Sequence, residues 1–170
     1  MLRLMRTTII LLLALAGSQL LAGGPTQVDP QTIKADKRML AACAKMEQAV
    51  KTMLAAAQQL VRGGDVEAAG RDLAKGDALM RQGDAEMAHG MRMETAEGAV
   101  MDSSKLMFDA RQMMMEGRSK LMSATEHVSA PEQIEAARPA IQEARQTMQR
   151  AREKMQTARN MMWSRMQMAR

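Results

Sequence analysis

Aromatic side chains are nearly missing from this chain of 170 residues: Phe108 and Trp163 stand alone, and there is no Tyr. A core of interlocked rings is therefore excluded. Cysteine is as scarce. Cys43 is the only one, so no internal disulfide can staple the fold, and a small apolar thiol of this kind is expected in the core. Histidine occurs twice, at His89 and His127, and His127 is expected to help cap a helix end. No Ser/His/Asp or Cys/His constellation suits nucleophilic catalysis. A phosphate loop, a Cys-x-x-Cys-His haem attachment and a pair of Glu-x-x-His motifs are all missing. Glu86 and His89 have the spacing of one such motif, but no second copy exists. Enzymatic chemistry is not expected.

Long apolar runs are confined to the N-terminus. A short basic head, Met1 to Arg6, is followed by apolar residues from Ile9 to Leu15 and again at Leu20-Leu21, then by Ala22-Gly23-Gly24. That order reads as a secretory signal peptide over 1–22, cleaved near Ala22. A membrane anchor is the alternative, but Gly17-Ser18-Gln19 interrupts the run and leaves it short for a span. No stable membrane span is expected, and the mature chain should be periplasmic. Loss of Arg3 and Arg6 with the leader lowers the formal net charge from +5 to +3. That balance, interspersed along the helices, is a solvated face and excludes a nucleic-acid partner.

Methionine fills the gap left by the missing residues. There are 21, and all but Met1 and Met5 lie beyond the leader, against ten Leu and Ile there. Met is flexible and specifies a core poorly, so such enrichment points beyond packing.

Helix-stop signals divide residues 31–170 into four segments, after a linker over 23–30. Asp29-Pro30 supplies an N-cap and an N1 proline, Gly63-Gly64 ends the first segment, and Asp65 caps the second. Thr95 to Gly98 is a weaker break, and Ser129-Ala130-Pro131-Glu132 reads as a capping box. Helices are expected over 31–62, 65–94, 99–128 and 132–168, with Pro139 kinking or delaying the last. Each segment repeats every seven residues, with a large residue followed three positions later by a small one. Met39, Met46, Met53 and Leu60 are followed by Ala42, Ala49, Ala56 and Gly63. Val66, Leu73, Met80 and Met87 are followed by Ala69, Gly76, Gly83 and Gly90. The third and fourth segments repeat the rule through Met107, Met114, Met148, Met155 and Met162, with Ala110, Gly117, Ala144, Ala151 and Ala158 among the small partners. Such a heptad is a coiled-coil seam, and short connections make successive helices antiparallel neighbours. The fold expected is all-α, an antiparallel four-helix bundle; three-helix and extended coiled-coil forms share the pattern. Counted outward from the loops, one end of the core is aliphatic. Met46, Met80, Met114 and Met148 form one thioether level, and Met39, Met87, Met107 and Met155 the next.

Ten methionines occupy the seam. Nine do not: Met91, Met93, Met101, Met113, Met115, Met122, Met161, Met166 and Met168. An exposed thioether is oxidised to a sulfoxide that reductases reverse, so these nine are the candidate oxidisable groups. An exported helical chain with dispersed Met, two His and one Cys resembles the methionine-rich periplasmic proteins that scavenge hypochlorite. The resemblance is one of composition, over the whole mature chain. It implies a non-enzymatic sink for reactive chlorine and oxygen species, served by a periplasmic methionine sulfoxide reductase and needing no cofactor. The alternative is a Cu(I) or Ag(I) binder, because thioethers and thiolates select soft cations. Met87-Ala88-His89-Gly90-Met91-Arg92-Met93 is similar to the Met/His strings of periplasmic copper and silver binders. On an intact helix, however, Met87 and Met91 point roughly opposite to His89 and Met93, so only unwinding at Gly90 would gather them. Met39, Cys43 and Met46 share one face and form the better set. A third reading is an adaptor or oligomeric bundle that docks through Trp163 and its methionine neighbours.

Overall fold

The computed structural model describes residues 29–95 and 101–168. Within them run four helices and no strand: α1 (Pro30–Val61), α2 (Val66–Thr95), α3 (Asp102–Thr125) and α4 (Pro131–Met168). The leader over 1–22 and most of the linker lie outside the described residues. Pro30, the last residue assigned to that linker, is already helical.

Helix ends follow local chemistry. The Asp29 carboxylate accepts from the Gln31 and Thr32 N–H groups at 3.0 and 3.3 Å, the orphan donors of the first turn of α1. At the other end Gly63 takes φ +74°. Its N–H reaches the Leu60 carbonyl at 2.9 Å, while the Gly64 N–H reaches Gln59 at 3.0 Å. This is the left-handed C-terminal cap that a glycine permits at little cost. Asp65 then accepts from the Ala68 N–H at 3.0 Å and starts α2.

Three details of the last two helices differ from the sequence reading, and both ends of α1 and of α2 shift by one residue. α3 stops at Thr125 rather than 128: the Thr125 hydroxyl donates to the Leu121 and Met122 carbonyls, which would otherwise call for another turn. Residues 99 and 100 lie outside the described part. At the start of α4 the reciprocal cap comes from Gln133, not Glu132; its Oε1 accepts from the Ser129 and Ala130 N–H groups. α4 also continues through Pro139. That proline is exposed, so the Glu135 carbonyl that loses its helical donor faces water instead of the core.

All ten seam methionines are completely buried. Glycine decides how closely the helices approach. A Cβ added at Gly76, Gly83 or Gly90 of α2 would lie 2.5, 2.6 or 2.7 Å from the Cγ of Met53, Met46 or Met39 of α1. Gly117 of α3 stands in the same relation to Met148 of α4, at 2.6 Å. Each methionine stem therefore rests on bare backbone of the partner helix. The result is two tight hairpins, α1/α2 and α3/α4, joined mainly along α1 and α4, while α2 and α3 touch at few points.

Charged pairs close the wider gaps. Asp77 of α2 binds Arg118 of α3, and Asp84 binds Arg111 through a 3.0 Å hydrogen bond. Glu47 of α1 meets Arg159 of α4 at 3.2 Å. No helix among the described residues is long and apolar enough to cross a membrane.

Candidate functional site

Sulfur is sorted by the seam. The ten seam methionines have no exposed surface, whereas each of the nine others is half-buried or exposed. Met101, Met161 and Met168 are the open ones, Met168 most of all at 81%. Met91, Met93, Met113, Met115 and Met122 lie lower, their stems packed against the core, and Met166 is half-buried. Met93 and Met113, placed well clear of the seam by helical arithmetic, thus keep part of their surface covered.

The Met/His string is split by the fold. α2 stays helical through Gly90, which is where it rests on Met39, so no unwinding gathers the four groups. Met87 is buried in the core, Met91 is half-buried, and His89 is exposed at a surface cleft with Arg38, Ala41, Ala85 and Glu86. Glu86 is engaged by Lys45. Among the described residues no three His, Cys, Asp or Glu side chains are placed to hold a metal ion together. His127 is exposed in the turn after α3.

Met39, Cys43 and Met46 all lie on the inner face of α1 with no exposed surface, the Met39 and Met46 stems against Gly90 and Gly83 of α2. Cys43 meets a sulfur across the bundle: its thiol donates to the Met107 thioether of α3, with 3.5 Å between sulfurs. Burial pushes the thiol up to about 12, with Glu47 adding to the effect and Arg159 opposing it. Cys43 is therefore a protonated thiol at neutral pH. Sequence spacing supplied the level of Met107 but not its partner, because a heptad count does not say which helices meet diagonally.

One turn beyond, all four helices contribute to a buried polar group. Asp36 of α1 is wholly buried and holds Arg165 of α4 through two hydrogen bonds, 3.0 Å on the Nε side. Arg165 lies 3.6 Å from Glu94 of α2, itself 2% exposed. Ser104 of α3 is buried beside Glu94. Burial raises the Asp36 and Glu94 carboxyls above the usual carboxylate range; Arg165 partly offsets this at Asp36, and Ser104 and Arg165 do so at Glu94. The signal for this cluster was in the repeat: Glu94 follows Met87 by seven residues and Arg165 follows Ala158 by seven, so both continue the seam.

Trp163 is 54% exposed above a shallow cleft of about 340 Å³ that it lines with Leu40, Arg159 and Asn160. No family model, curated protein or solved structure matches this chain.

Proposed function

We propose that this protein is a non-enzymatic oxidant sink, exported to the periplasm and oxidised there in place of other targets by reactive chlorine and oxygen species. The observation that carries the reading is the division of its sulfur: ten methionines hold the bundle together, and nine more lie where solvent reaches them. A two-electron oxidant such as hypochlorite transfers oxygen to a thioether and leaves as chloride, and no base, nucleophile or pocket is needed. A sulfoxide is polar, so oxygen added to a seam sulfur would be an unmatched polar group in the core. Oxygen added to Met161 or Met168 is solvated. The sink can be spent while the fold persists, and a periplasmic methionine sulfoxide reductase would restore the exposed residues.

The test is peptide mapping after graded hypochlorite, followed in parallel by circular dichroism. Met101, Met161 and Met168 should oxidise first, then the six half-buried residues. The seam methionines should follow last, together with loss of helix. Seam sulfurs reacting as fast as Met161 and Met168 in folded protein would overturn the reading. So would cells lacking the protein that survive hypochlorite as well as those that have it.

A further inference from the structure

We infer that the buried sulfur cluster around Cys43 and Met107 binds one soft monovalent cation, Cu(I) or Ag(I). The inference stands apart from the sink, which uses the outer methionines and leaves this cluster untouched.

Three observations converge on it. The first is the donor set. Cys43 Sγ and Met107 Sδ come from different helices and lie 3.5 Å apart, about the separation of two sulfurs that share one ion at bonds near 2.3 Å. Met39 and Met46 flank Cys43 one turn away on the same face of α1 and are equally buried. Thiolate and thioether together select soft cations such as Cu(I) and Ag(I) over the hard ones. The second is the environment. No water-exposed surface remains on any of the four residues, so an ion there would keep no water, and the Cys43 thiolate would match its single charge.

The third is charge, and it is independent of the sulfurs. Towards the end of the bundle, Asp36 and Glu94 share a single guanidinium, Arg165, so the buried groups carry one carboxylate more than they carry cation. Glu94 and Ser104 are both more than nine-tenths buried there, Ser104 beside the Glu94 carboxyl and Arg165 3.6 Å from it. Ser104 stands three residues before Met107 on α3, and Glu94 four residues after Gly90, against which Met39 rests. Carboxyl and hydroxyl oxygens thus lie one turn outward from the sulfurs, on the side nearest the helix ends. They offer an entering cation a first foothold. Binding exchanges one proton for one metal: the Cys43 S–H bond breaks, the proton leaves to solvent, and the thiolate and the Met107 thioether each donate a pair to the ion. No electron is transferred.

The test uses the full, reduced chain under argon and Cu(I) presented as a coloured complex with a competing chelator. One Cu(I) per chain should be withdrawn from the chelator, with release of one proton. X-ray absorption should show sulfur neighbours alone. Met107→Leu and Cys43→Ala should each weaken binding at least tenfold, whereas Met53→Leu, ten residues beyond Cys43 in α1, should leave it within twofold. Met107→Leu conserves volume and should fold, and the absorption spectrum of the unmutated chain does not depend on any variant. The inference is overturned if the chelator keeps its copper, if nitrogen or oxygen dominates the spectrum, or if Met107→Leu and Cys43→Ala bind as the parent does. It is also overturned if His89→Ala with Met91→Leu abolishes binding while Cys43→Ala does not.

Discussion

Replacing Gly83 by Ala adds one methyl group to α2 and should make the protein easier to unfold. Taken alone, the change favours the helix by about 1 kcal/mol, because Gly loses more backbone freedom on folding than Ala. The seam opposes it. The new Cβ would lie 2.6 Å from Met46 Cγ, 3.2 Å from the Met46 nitrogen and 3.3 Å from the Ala42 carbonyl oxygen. Cγ is only two bonds from the backbone and cannot swing far, and the other two atoms belong to α1 itself. Either Met46 leaves its rotamer inside a filled core or the helices separate locally. Overpacking of this kind costs about 1–3 kcal/mol, so the net effect is a loss of up to about 2 kcal/mol. At about 2–4 °C per kcal/mol for a chain of this size, the midpoint should fall by several degrees. Gly70→Ala is the internal control. Gly70 is in the same helix, exposed, with nothing within 4 Å of an added Cβ, and its replacement should stabilise by about 0.5–1 kcal/mol. Thermal and urea unfolding of both variants, followed by circular dichroism, should give shifts of opposite sign. Two shifts of the same sign would refute the claim that glycine is there to let α1 and α2 touch.

Two further expectations concern ionisable groups. Glu94 is raised by burial, so its contribution to stability is complete below its ordinary pKa and is lost as pH rises through the raised value; Glu94→Gln should flatten the stability curve on that rising limb. Asp77 behaves oppositely: Arg118 and Arg81 outweigh its desolvation and lower it, so its contribution is lost as pH falls through the lowered value, and Asp77→Asn should remove part of the acid-side loss. Urea midpoints across pH for the three proteins check both signs. Cys43 should resist iodoacetamide in the folded protein and react only as the bundle unfolds, because it has no exposed surface and stays protonated; alkylation at the rate of an open thiol would contradict its placement.

The bundle was legible in the sequence because its rule is strict. A large residue every seven, with Gly or Ala three later, names most of the side chains the structure buries from Met39 to Met162, although Val66, Val128, Ala124 and Ala137 are only half-buried and Gly63 is exposed. The caps at Asp29 and Gly63 were legible for a similar reason: few residue types serve those positions. Pro139 was not, since a proline's effect depends on whether the carbonyl it abandons is wet, and burial is not a local property. Asp36, Asp77 and Glu94 were hidden differently. Interspersed charges read as a solvated face, yet these three sit where the heptad turns inward. The diagonal pairing of Cys43 with Met107 needed the third dimension outright. So did the partial cover over Met93 and Met113, which helix angles alone put in the open.

The uneven spacing of the helices also has a consequence for how the chain assembles. Contacts within α1/α2 and within α3/α4 join residues close in sequence across short turns, so each hairpin can zip on its own at little loop-closure cost. Docking one hairpin on the other closes a longer loop and relies on the α1–α4 contact and on a few charged links such as Asp84–Arg111. The docking step is therefore the late and more easily reversed one. Until it is complete, the sulfurs that meet between the hairpins, Cys43 and Met107 among them, face water, and the folding chain passes through a brief period when groups sealed in the finished bundle are open to its surroundings.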